Sequence, residues 1–89
     1  MTKTEILQEL EELCAKLSYE VSYESLKKTA PYVKSGAVKL KEKKIILIEK
    51  KLNVSSKIEV ILRVIKDDDL GEIFVKPFIK DLITKARNQ

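Results

Sequence analysis

The sequence predicts a single α+β domain over residues 1–89: an N-terminal helix, a three-stranded, mainly antiparallel sheet and two C-terminal helices, in the order α-β-β-β-α-α. Three observations predict it. Apolar residues recur at helical spacing towards both ends of the chain. They alternate with period two in its middle. Only two Gly and two Pro interrupt 89 residues, of which 44% are hydrophobic and 36% charged. A chain of this composition folds nearly throughout, with its helices packed on the sheet around one modest core.

Ile6, Leu7, Leu10, Leu13, Cys14 and Leu17 form one stripe of a helix of period 3.6. Thr2 with Glu5 three residues on is a capping-box pattern, and the early glutamates suit the positive end of the helix dipole. After Leu17 the period changes to two. Tyr19, Val21 and Tyr23 alternate with Glu20, Ser22 and Glu24 as a half-buried strand requires, and the tyrosine face is the one needed to cover the first helix. The stretch "SLKKTAPYVKSG" carries Pro31 and the pair Ser35-Gly36, so it reads as a connecting loop with room for one helical turn after Ser25.

"AVKLKEKKIILIEKK" reads as a hairpin with strands near 37–41 and 44–49. No Asn-Gly or Asp-Gly pair marks a tight turn, so a two-residue and a four-residue loop both stand. The expected register sets Leu40 opposite Ile45, Val38 opposite Leu47 and Lys39 opposite Ile46. Ile45 and Leu47 are then core residues. Ile46 and Ile48 share an outer face with Lys39, Lys41 and Lys44, where Glu20 and Glu24 are placed to pair with the lysines.

In "NVSSKIEVILRVIKDDDLG", Ser56 is the expected N-cap with Glu59 at the third helical position, and Ile58, Ile61, Leu62 and Ile65 share one face. Val60 and Val64 widen that apolar arc enough to imply contact on more than one side. Asp67, Asp68 and Asp69 oppose the dipole at a helix C-terminus and, with Leu70-Gly71, end the helix. Pro77 opens the last helix, which repeats Phe78, Ile79, Leu82, Ile83 and Ala86. The preceding "EIFV" is either an extended link or an edge strand, and the sequence does not decide between them.

No histidine is present, which removes the commonest general base at neutral pH and the commonest metal ligand. The two glycines stand too far apart for a dinucleotide fingerprint or a P-loop. "DDDLGE" has its glycine one place too early for a calcium loop, and the twelfth position is Phe78. The single cysteine, Cys14, forms no internal disulfide, fits a reducing cytoplasm and reads as a small core hydrophobe. The N-terminal segment has neither signal nor transit character, and no apolar run approaches the roughly 18 residues of a membrane span. A soluble, unprocessed protein is expected. The net charge of +4 is unevenly spread: residues 1–26 hold two Lys against six Glu, residues 27–57 ten Lys against two Glu. Only the centre of the chain could therefore draw a polyanion.

The order of helix, strand "YEVSYESL", glycine turn, hairpin ending in "IILIEKKL" and helix resembles a group of small bacterial proteins without assigned function, in which "L..L...L.YEV.YE" and a terminal "P...R.L" helix recur. The likeness covers nearly the whole chain and brings no catalytic motif. More distantly, residues 5–66 are similar in layout to the N-terminal scaffold of ImmA/IrrE-type metallopeptidases, whose next helix carries a zinc-binding HExxH. Here that helix reads "KIEVILRVIK", with Glu59 but no histidine on either side, so neither zinc binding nor peptide hydrolysis carries over.

These readings favour a small non-enzymatic cytoplasmic module for protein interaction or self-association. Its partner is a second copy or another protein, and it takes no cofactor, metal or membrane. Ile46, Ile48, Val60 and Val64 are the candidate contact residues, because they exceed what one small core needs. The alternative is a nucleic-acid-binding accessory protein using the lysine-rich 27–57 region, through Lys27, Lys28, Lys39, Lys41, Lys43, Lys44, Lys50 and Lys51. Tyr32 is the aromatic residue best placed there to stack on a base.

Overall fold

A computed structural model of the chain describes residues 1–26, 35–40 and 43–89, with 37–40 described by backbone alone. Helix α1 spans Lys3–Lys16 and starts as its capping box requires: the Glu5 amide donates to Thr2 Oγ1 at 3.1 Å and the Thr2 amide donates to Glu5 Oε1 at 3.2 Å. The Thr2 amide, with a smaller effect from its hydroxyl, holds the Glu5 carboxyl below its ordinary pKa. Past the cap residue Leu17, Ser18 adopts the left-handed conformation (φ 69°) and turns the chain straight into β1, Tyr19–Glu24. Strands β2 (Gly36–Leu40) and β3 (Lys43–Glu49) follow, then α2 (Val54–Ile65) and α3 (Pro77–Arg87).

The expected mainly antiparallel sheet is corrected. The sheet is mixed, in the order β1-β3-β2, with β3 antiparallel to β2 and parallel to β1. A central strand is paired on both edges and flanked by apolar neighbours, so the strand with the longest apolar run, Ile45 to Ile48, takes that place. Parallel neighbours need a crossover of a dozen residues or more, and residues 25–42, which include β2, supply it. The hairpin register also differs from the expected one. Leu40 pairs with Lys43, Val38 with Ile45 and Ala37 with Ile46, leaving only the two residues 41 and 42 between the paired Leu40 and Lys43.

The inward face of β3 is reversed as well. Ile46 and Ile48 are 0% exposed and belong to the core, whereas Ile45 and Leu47 remain half-buried on the opposite face. The parallel register explains this, since it sets Val21 beside Ile46 and Tyr23 beside Ile48, so both isoleucines share the tyrosine face that α1 covers. Lys44, level with Tyr19, does not disturb the face. It lies at the strand end, its side chain stays exposed, and its Nζ sits 5.0 Å from the Tyr19 ring centroid. The expected pairing of Glu20 and Glu24 with lysines is absent among the described residues; Glu20 lies opposite Ile45, and Glu24 opposite Glu49.

Helix α1 packs on β1, and α2 packs on β2 and β3. Between them and the sheet lie Leu10, Leu13, Cys14, Ile46, Ile48, Ile58, Ile61 and Ile65. Helix α3 seats Ile79 and Ile83 on the far side, against α2 and α1, so the layers run sheet, helix pair, helix. The N-cap of α2 is Asn53 instead of the expected Ser56: Asn53 Oδ1 accepts from the Ser56 amide at 2.8 Å, and the helix begins before Ser56. The aspartate run lies beyond α2. There Asp69 Oδ1 accepts from the Gly71 amide at 2.9 Å, and Gly71 takes the left-handed conformation (φ 55°) that side-chain-bearing residues rarely adopt. Glu72–Val75, undecided in the sequence, is irregular.

Candidate functional site

Three of the four expected contact residues are used up by the core. Ile46 and Ile48 have no surface left, Val60 is buried, and Val64 is half-buried against the same cluster. The wide apolar arc of α2 serves several neighbours within the chain: α1, the sheet and α3. The outward position expected for Ile46 and Ile48 is thus corrected, and with it their availability to a partner.

Among the described residues, the candidate polyanion ligands do not converge either. Lys43 and Lys44 lie at the start of β3, while Lys50 and Lys51 follow its end, roughly 20 Å away at the ordinary rise of a strand. Lys57, in the first turn of α2, places its Nζ 5.2 Å from the Tyr23 ring centroid. Lys27, Lys28, Lys41 and Tyr32 lie outside the described residues, and the side chain of Lys39 does too.

Beneath the sheet a polar cluster surrounds Cys14. The Tyr19 hydroxyl donates to Asp68 Oδ2 at 2.7 Å, and the Tyr23 hydroxyl donates to Glu11 Oε2. Burial pushes the Cys14 thiol from 9.0 up to about 12, with the Glu11 and Asp68 carboxylates adding to it. Burial, then the hydrogen bond to Asp68, raises Tyr19 from 10.0 to about 12, and burial with the Glu11 bond raises Tyr23 as well. All three groups are therefore neutral near pH 7. The arrangement ties α1 and the segment after α2 to β1; a thiol so protonated is a packing group, far from a nucleophile. Among the described residues no three or more His, Cys, Asp or Glu side chains are placed to hold a metal ion, and no helix is long and apolar enough to cross a membrane.

The surface holds what the sequence reading missed. Phe74 is 74% exposed and Phe78 48%, an unusual position for the two largest apolar side chains of a small domain. Phe74 and Val75 border a shallow groove of about 150 Å³ whose far wall is α1, through Glu9, Glu12 and Lys16. Lys76 crosses this groove and meets Glu9 at 2.6 Å; that partner raises the Lys76 pKa. Phe78 stands in the first turn of α3 beside Ile79, whose side chain closes the groove floor. Helical spacing alone puts Phe78 on the buried stripe. Only the position of α3 against α2 and α1 shows that Ile79 and Ile83 take the inward positions and leave Phe78 outside.

Compared with protein-family models, with curated proteins and with solved structures, the chain has no match in any of the three.

Proposed function

We propose that this chain is a non-enzymatic, self-associating module of the reducing cytoplasm, and that two copies meet through the shoulder formed by Phe74 and Phe78. The observation that carries the reading is the exposure of both phenylalanines beside a groove with two carboxylates, Glu9 and Glu12, and two ammonium groups, Lys16 and Lys76. In a two-fold contact the same patch faces itself, so a surface of apolar centre and balanced charge is complementary to its own rotated copy. A partner of one charge sign would leave half of those groups opposed. The buried neutral Cys14 and the absence of histidine support the non-enzymatic part of the same reading.

Light scattering on the purified chain tests it. The expected result is a dimer that becomes a monomer in the Phe74→Ser/Phe78→Ser variant, with the circular dichroism spectrum unchanged because neither side chain belongs to the core. A monomer at high concentration would overturn the self-association, and a dimer that persists in the variant would overturn the shoulder as its interface.

A further inference from the structure

We infer that the groove between α2 and α3 is a docking site for a short acidic, amphipathic segment of another protein, separate from the Phe74 shoulder. The groove has a volume of about 410 Å³ and a floor of half-buried apolar side chains, Leu62, Leu82 and Ala86. Its rim carries Arg63, Lys66 and Lys85 against a single carboxylate, Glu59. Among the described residues none of these three cations makes an ion pair. Arg87 differs from them, since its Nε donates to the Lys66 carbonyl at 2.7 Å and closes the C-terminal end of α2.

Complementation of the helix dipoles accounts for cations near the ends of α2 and α3, because both helices direct their C-termini to this region. It does not account for the apolar floor between them. A floor of leucine and alanine under a rim of one predominant sign matches an occupant with apolar anchors along one stripe and carboxylates beside it. Among the described helices of a second copy only α1 is acidic, and it is a poor occupant. The exposed positions of that helix are Lys3, Thr4, Glu5, Gln8, Glu12, Ala15 and Lys16, with no large apolar side chain to fill the floor. The lining runs from Glu59 to Lys66 on one wall and from Leu82 to Gln89 on the other, about 10 Å on each at 1.5 Å per helical residue. Two helical turns of a partner fill that length, presenting apolar residues at i and i+4.

The test uses the full chain and a fluorescein-labelled amphipathic peptide of Glu, Ala and Leu, with leucines at i and i+4. Its controls are the same peptide with Lys for every Glu, and a labelled single-stranded oligonucleotide. Saturable anisotropy of the Glu/Leu peptide is expected. It should weaken about tenfold in Arg63→Glu/Lys85→Glu and also weaken with added salt. Both substitutions are at rim positions, so the circular dichroism of the variant should be unchanged. The Phe74→Ser/Phe78→Ser variant should bind the peptide as the parent does, which separates this groove from the self-association surface. Equal binding of the Lys/Leu peptide, an unchanged affinity in the charge-reversed variant, or displacement of the peptide by the oligonucleotide at comparable affinity would each overturn the inference.

Discussion

On one face of β3, Ile46 and Ile48 are sealed beneath α1 and α2; on the other, Ile45 and Leu47, equally apolar, keep part of their surface in water. The strand itself does not distinguish them. All four belong to one run, and lysines flank that run at both ends. Their neighbours decide. The parallel pairing with β1 aligns Ile46 and Ile48 with Val21 and Tyr23, and these residues carry α1. A flanking lysine such as Lys44 marks the end of the strand and says nothing about the outer face, since its long stem reaches solvent from either side.

The largest effect that separates the two faces is a cavity. Ile48→Ala removes a fully enclosed side chain and should cost about 2–5 kcal/mol. Leu47→Ala, on a half-buried side chain, should cost less than half as much. Urea denaturation of both variants measures the difference, and equal losses would break the distinction drawn between the faces.

A second separation comes from alkaline pH. Cys14 lies on α1 in the dry layer behind Ile46 and Ile48, and its raised pKa means that the folded state holds a proton the unfolded chain gives up. The associated stability is complete below pH 9.0 and is lost as pH rises towards about 12, at up to about 1.4 kcal/mol per pH unit for this one group. Tyr19 adds a loss of the same sign from pH 10.0 upward. In Cys14→Ala the denaturation midpoint should be lower at neutral pH yet hold level until about pH 10.0, where Tyr19 and Tyr23 of the unfolded chain give up their protons. A midpoint that falls from pH 9 in the variant as in the parent would show that the thiol is not held in a dry layer.

Local signals are readable along most of the chain, because they depend on near neighbours. The Thr2–Glu5 capping box, the alternation of Tyr19, Val21 and Tyr23, and Pro77 at the first position of α3 all stand in the structure where pattern places them. The strand order is not readable. A hairpin pattern says that β2 and β3 pair, but whether β1 joins beside β2 or beside β3 depends on a crossover, and the register of the β1–β3 pairing is what puts Ile46 and Ile48 on the inward face. The surface sites are hidden for a related reason. Phe78 and Ile79 are adjacent in a helical repeat, and the same repeat gives Leu62 and Leu82 to the core; only the seating of α3 divides them into buried, groove-lining and exposed positions. Likewise Ser56 and Asn53 are both good caps, and the helix takes the earlier one because Asn53 Oδ1 reaches the Ser56 amide.

The smallest effect concerns the lysine that makes the inner face look like an outer one. If Lys44 is held to Tyr19 by its position over the ring, the coupling between the two side chains should be about 0.5–1 kcal/mol, the range for an exposed cation–π contact. A double-mutant cycle with Lys44→Met and Tyr19→Leu isolates it, because the methionine keeps the apolar stem and removes the charge, while the leucine keeps bulk and removes the ring. The Tyr19 hydroxyl also loses its bond to Asp68 in that cycle, so Tyr19→Phe supplies the reference. Lys44 should couple to the phenyl ring of the Tyr19→Phe variant nearly as strongly as to the tyrosine. Coupling that vanishes with the hydroxyl alone would mean that Lys44 acts through the Asp68 carboxylate, and the lysine would then belong to the ionic surface instead of the strand face on which its backbone places it.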